Sequence, residues 1–185
     1  MSINVGRGEF KTTIAADQKQ VDECIQALMS NSSNLTRLIG LDTISVRTTP
    51  RITSIAVLQL CDQNLCLIVR LTSFQTIPES LYNFLSLPGF TFVGFGIKNA
   101  MARLWKEYGF VCKNILDARP SVWQSSMTAS MNRMVSTMRV PPTQCISDIW
   151  DCKVNLTEDL INLGVSYARA ALRIRVKTSL SLRFS

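Results

Sequence analysis

Residues 52–71 read ITSIAVLQLCDQNLCLIVRL: two apolar, β-rich runs, Ile52 to Leu60 and Leu65 to Leu71, on either side of Asp62-Gln63-Asn64. Polar turn formers between two such runs predict a β-hairpin. Arg70 is the only charge within the runs, and it stands near a strand end. Upstream, Leu38-Ile39-Gly40-Leu41-Asp42 is short, apolar and ended by an acid, which predicts a buried strand. Before it, Val21, Cys24, Ile25 and Leu28 recur at helical spacing, so Gln18 to Met29 is a predicted helix with Asp17 as its N-cap. Asn31 to Asn34 is a loop, and Lys11 to Ile14 a short strand. Downstream, Pro78 to Leu87 reads as a helix closed by Pro88-Gly89, Phe90 to Gly96 as a strand, and Asn99 to Tyr108 as a helix stopped by Gly109. Asn114 to Ala118 reads as one more short strand. A Ser/Thr-rich stretch leads to a helix carrying Met127, Met131, Met134 and Met138, which Pro141-Pro142 ends. A long helix is predicted from Asn155 to about Leu180. This order predicts one layered α/β domain over residues 1–185.

Composition narrows the function. The chain has 185 residues, 46% of them hydrophobic and 18% charged, which fits one domain with a real core. No run of about 18 apolar residues is present, so no membrane span is expected. Residues 1–10 hold no apolar signal segment, so the expected compartment is cytoplasmic or nuclear; mitochondrial delivery by an irregular signal stays open. There is no histidine, which removes the commonest general base and most zinc sites. The six cysteines have no C-x-x-C spacing and are expected to be reduced, mostly buried thiols. A net charge of +7 invites an acidic or nucleic-acid partner.

Four segments read together resemble a known family. They are Leu38 to Thr43, the hairpin strand Ser54 to Cys61, and Phe92-Val93-Gly94-Phe95-Gly96-Ile97 opening a helix, with Leu156-Thr157-Glu158-Asp159 leading the last helix. Their order and spacing resemble the 3′–5′ exonuclease domain of the Werner-syndrome-helicase type (DEDDy type), particularly the short stand-alone plant forms, over about residues 12–176. The resemblance implies an RNase H-like fold, a mixed β-sheet flanked by helices. It also implies four carboxylates holding two divalent metals, and a tyrosine that positions the attacking water.

Set against that pattern, the sequence keeps Asp42 alone. The glutamate position is Ile44, the aspartate after the Gly-x-Gly strand end is Ala100, the tyrosine position is Leu163, and the last aspartate is Tyr167. Glu158 and Asp159 lie roughly 12 Å or more up the helix axis from Tyr167 and cannot replace its carboxylate. Lys98 makes the mouth of the site more positive. The expectation is therefore no bound metal and no cofactor, with Asp42 read as a solvated or amide-bonded strand-end carboxylate rather than a ligand.

Other groups carry bland and functional readings side by side. Arg169, Arg173 and Lys177 recur every four residues, with Arg175 and Arg183 nearby and no acid from Ala168 to Ser185. They form either a solvated helix face or, with Lys98, a surface for nucleic acid or an acidic partner. The methionine stripe is either core or a surface for a partner or for self-association. Gly94-Phe95-Gly96 lacks the third glycine and downstream acid of a nucleotide loop, so close backbone packing explains it. The reading as a whole is a catalytically inactive exonuclease-like protein that acts by binding a protein partner, a homo-oligomer being one form. A non-cleaving nucleic-acid binder is the alternative, and a residual Mn²⁺-dependent nuclease the third.

Overall fold

A computed structural model describes residues 11–49, 52–118 and 164–173. Six strands form one mixed sheet: β1 (Lys11–Ala15), β2 (Leu38–Thr49), β3 (Ile52–Cys61), β4 (Leu65–Arg70), β5 (Thr91–Gly94) and β6 (Ile115–Asp117). Their spatial order is β1-β4-β3-β2-β5-β6. The central β2, β3 and β4 run antiparallel to their neighbours in that group, while β1 joins β4, β5 joins β2 and β6 joins β5 in parallel. The predicted hairpin is β3–β4, with Asp62 to Asn64 as its turn.

Two apolar layers explain why these strands bear so few charges. Three helices, α1 (Gln18–Ser30), α2 (Glu79–Ser86) and α3 (Ile97–Tyr108), share one buried cluster with Leu58 and Leu60 of β3 and Leu67 and Val69 of β4. Cys66 and Ile68, the intervening β4 residues, belong to a second cluster with Ile44, Val57, Cys61, Val165 and Ala168. Side chains that alternate along a strand point to opposite faces. The sheet is therefore covered on one face by α1 to α3 and on the other by helical residues 164–173. This is an RNase H-like α/β architecture.

Local chemistry agrees with the predicted start of α1. The Asp17 side chain accepts from the Gln20 N–H, and Val21, Cys24, Ile25 and Leu28 are all buried. Two elements differ from expectation. β2 runs on to Thr49, twelve residues rather than five, because it pairs with β3 all the way to Ile52. A bulge at Ala56 interrupts that ladder, since Ile44 faces Val57 while Ser45 faces Ile55. The freed Ile55 N–H donates to Glu107 Oε2 at 2.6 Å, and the Tyr108 hydroxyl donates to the Ile55 carbonyl. These bonds tie the end of α3 to the bulge. The start of α3 is also earlier than predicted, at Ile97, because Gly96 takes a left-handed φ of 62° and its carbonyl accepts from Asn99 and Ala100.

The cysteine expectation needs correction. Cys61 and Cys66 are joined as a disulfide, whereas Cys24 and Cys112 are free. The two bonded residues are register partners across the β3–β4 hairpin, a proximity that sequence spacing does not reveal. Burial pushes the Cys112 thiol up to about 12, which disfavours the reactive thiolate. The methionine helix lies outside the described residues, and of the long final helix only 164–173 is described.

The hairpin turn rests on one carboxylate. Asp62 is 1% exposed; its Oδ1 accepts from the Asn64 and Leu65 N–H groups at 2.8 and 2.7 Å, and its Oδ2 accepts from Asn31 Nδ2. Asp62→Ala leaves two backbone donors unsatisfied at the turn. It is expected to cost about 2–3 kcal/mol in urea unfolding, the penalty for stranded buried donors of a charged acceptor. A loss below about 0.5 kcal/mol, the ordinary surface range, would show that water replaces the carboxylate.

Candidate functional site

The helical residues 164–173 approach the sheet where β2 has no side chain. A Cβ built on Gly40 would lie 2.2 Å from the Ala168 carbonyl oxygen, so only glycine admits the helix at this depth. One turn before Ala168, a Cβ on Gly164 would lie 2.2 Å from the Gln59 amide oxygen. Gly40 thus sets the helix almost on the backbone of the sheet, and Gly164 sets it on the Gln59 side chain.

This close approach brings three polar side chains together under an apolar lid. Asp42 and Gln59 are register partners on β2 and β3, on the face that the 164–173 helix covers. Gln59 is fully buried. Tyr167 stands edge-on to Phe95, with ring centroids 6.2 Å apart and an interplanar angle of 84°. Asp42 keeps a small rim of exposure, yet its Oδ2 is shielded from solvent and accepts no hydrogen bond among the described residues. The Tyr167 hydroxyl is in the same condition.

The electrostatics follow from that burial. Desolvation raises Asp42 from its ordinary 3.8 to about 7, only partly offset by the hydrogen bond from the Thr43 amide. Burial also raises the Tyr167 phenol, and the neighbouring Asp42 charge raises it further. The carboxyl group keeps its proton well above the ordinary carboxylate range, and the phenol is held in its protonated form.

The structure corrects the reading of Asp42. It is the fifth residue of a twelve-residue strand, not a strand end, and one carboxyl oxygen is shielded from solvent; the amide bond expected of it is present, from Thr43. Ile44 is 1% exposed and packs in the cluster that includes Val57, Val165 and Ala168. Ala100 sits half-buried in the first turns of α3, and Lys98 is exposed there. Arg169 is half-buried, and its guanidinium is lowered by burial and then by Arg173, which is exposed. Leu163, Arg175, Lys177 and the four methionines lie outside the described residues. The Gly94-Phe95-Gly96 segment packs closely, as expected: a Cβ on Gly94 would lie 2.5 Å from the Leu41 carbonyl oxygen.

Sequence reasoning missed Gln59 and Phe95 as members of this site. For Gln59 a signal existed, because it is the one amide in the run Ile55 to Cys61. Phe95 gave none, since an aromatic residue at a strand end is ordinary core.

No protein-family model matches the chain, and no curated protein matches it significantly. Solved structures do. The EXD2 exonuclease domain superposes with a TM-score of 0.53 at 22% identity, over 93% of this chain and 89% of that one. The same domain soaked in Mn and dGMP gives 0.53 at 24%, over 93% and 90%. Soaked in Mg and GMP it gives 0.53 at 23%, over 93% and 89%. At these identities the likeness is one of architecture. With its mixed sheet and helices on both faces, this chain has the RNase H-like fold of an exonuclease domain.

Proposed function

We propose that this protein keeps the exonuclease fold but acts by binding, not by cleaving phosphodiesters. The observation that carries this reading is the Asp42–Tyr167 encounter. Where the resemblance calls for a second carboxylate, a protonated phenol faces Asp42, and where it calls for a glutamate, Ile44 is buried hydrocarbon. Two hard divalent cations require several carboxylate oxygens, both as ligands and to balance their charge. Asp42, itself poised to hold a proton, with a phenol and a carboxamide beside it, does not fit that requirement. No cleavage step is therefore assigned.

The partner we favour is a protein. Trp105 on α3 is 65% exposed, and a large exposed aromatic ring is the type of residue that anchors interface cores. A second copy of the chain is one partner of this kind. Exposed Lys98 and Arg173, with the net charge of +7, favour as a second reading a nucleic-acid binder that does not cut.

Fluorescence anisotropy of a duplex with a recessed 3′ end separates these readings. The protein is added at low salt, and Mn²⁺ partway through. A flat trace is the expected result and fits a protein partner. A stable rise that collapses with salt would transfer the assignment to nucleic acid. A rise followed by a metal-dependent fall would mean digestion and would overturn the proposal.

A further inference from the structure

The Cys61–Cys66 bond lies in the layer on which the 164–173 helix rests. Both cysteines are fully buried, in the same cluster as Ile44, Val57, Val165 and Ala168. The Asp62 N–H donates to the Leu65 carbonyl at 2.9 Å, so the next pair along the ladder, Cys61 and Cys66, falls at a non-hydrogen-bonded position. Side chains of such pairs stand closest together, and these Cα atoms are 4.1 Å apart. The bond joins residues only five apart in sequence that the ladder already holds in register. A cross-link over so short a loop restrains the unfolded chain least, so stability alone gives it little purpose.

We propose that Cys61 and Cys66 form a thiol–disulfide couple that controls how the 164–173 helix seats over Asp42. A small dithiol, or two small thiols, supply two electrons and two protons. The sulfur–sulfur bond breaks, each cysteine becomes a thiol, and the reductant closes its own disulfide. The two sulfurs then move from bonding distance to van der Waals contact, inside a layer with no exposure. The sheet cannot yield toward the helix, because the Gly40 backbone already lies against the Ala168 carbonyl. The helix takes up the change, carrying Tyr167 away from Asp42 and shifting Arg169 and Arg173 with it. The oxidised form closes the Asp42 site and the reduced form loosens it. This inference rests on the fold and the packing, not on the binding reading above.

Hydrogen–deuterium exchange of the full-length chain tests it, with peptide mapping of the unreduced protein. Mapping is expected to recover a Cys61–Cys66 cross-linked peptide from air-oxidised protein. Reduction with dithiothreitol is expected to speed amide exchange in residues 164–173 about tenfold or more, a local opening that leaves α2 protected. A Cys61→Ala/Cys66→Ala variant is expected to exchange at one rate with or without reductant. Three results would each overturn the proposal: no cross-linked peptide, exchange in 164–173 that reduction does not move in the wild type, or a response that persists in the double variant.

Discussion

Asp42→Asn is expected to stabilise this protein at pH 8 and to do nothing at pH 4. The sign follows from proton linkage. Burial raises the Asp42 carboxyl in the folded state to about 7 from an ordinary 3.8, so the folded chain binds a proton that the unfolded chain has released. Stability is therefore fully retained below about pH 4, falls as pH rises toward 7, and stays reduced above it. At about 1.4 kcal/mol per tenfold change in proton affinity, the wild type forfeits at most about 4 kcal/mol at pH 8. Asparagine has nearly the same shape and no charge to desolvate. Urea unfolding of both proteins from pH 4 to pH 8 should give curves that coincide at the acid end and diverge steadily above it. A wild-type stability independent of pH, or a variant less stable at pH 8, would mean that Asp42 is well solvated or compensated by a cation.

This experiment bears on function as well as folding. A catalytic carboxylate is commonly retained at a cost in stability, and that cost is the signature of a site shaped for a ligand. Here the carboxyl lies beside Tyr167, on the sheet face where Ile44 packs with Val165 and Ala168 of the covering helix. The enclosing side chains are largely hydrocarbon. The gain expected from Asp42→Asn measures what enclosing this charge costs the fold.

What could be read from the sequence divides along physical lines. The hairpin and the helix at α1 were legible because their signals are local: alternating apolar runs around Asp62-Gln63-Asn64, and Asp17 before a helical stripe. The site was legible at single positions through the family resemblance, which singled out Asp42, Ile44 and Tyr167. Their mutual arrangement was not. That Gln59 stands opposite Asp42 depends on a register set by the Ala56 bulge, and no residue pattern announced that bulge. The disulfide escaped for the same reason, since Cys61 and Cys66 meet only once the β3–β4 pairing is known. Asp42 was misjudged because its burial comes from a helix more than a hundred residues away in sequence.

Gly40→Ala should break that long-range contact, and its effect should be coupled to that of Asp42. The added Cβ would meet the Ala168 carbonyl at 2.2 Å, and a backbone atom in a docked helix has no rotamer by which to give way. Overpacking of this kind is expected to cost about 3 kcal/mol at pH 4, where Asp42 is neutral in both states. At pH 8 the two substitutions should cease to be independent. Once the helix is pushed off the sheet, water reaches Asp42, its proton affinity returns toward the ordinary carboxylate value, and asparagine no longer brings a gain. A double-mutant cycle at pH 8 should therefore show an interaction energy close to the whole benefit of Asp42→Asn alone. At pH 4 the same cycle should close to within about 0.5 kcal/mol, as for independent sites. Additivity at both pH values would mean that the helix does not control the burial of Asp42, whatever the sheet looks like beneath it. Coupling that appears only when the carboxyl can ionise identifies the 164–173 helix as the element that keeps this site dry.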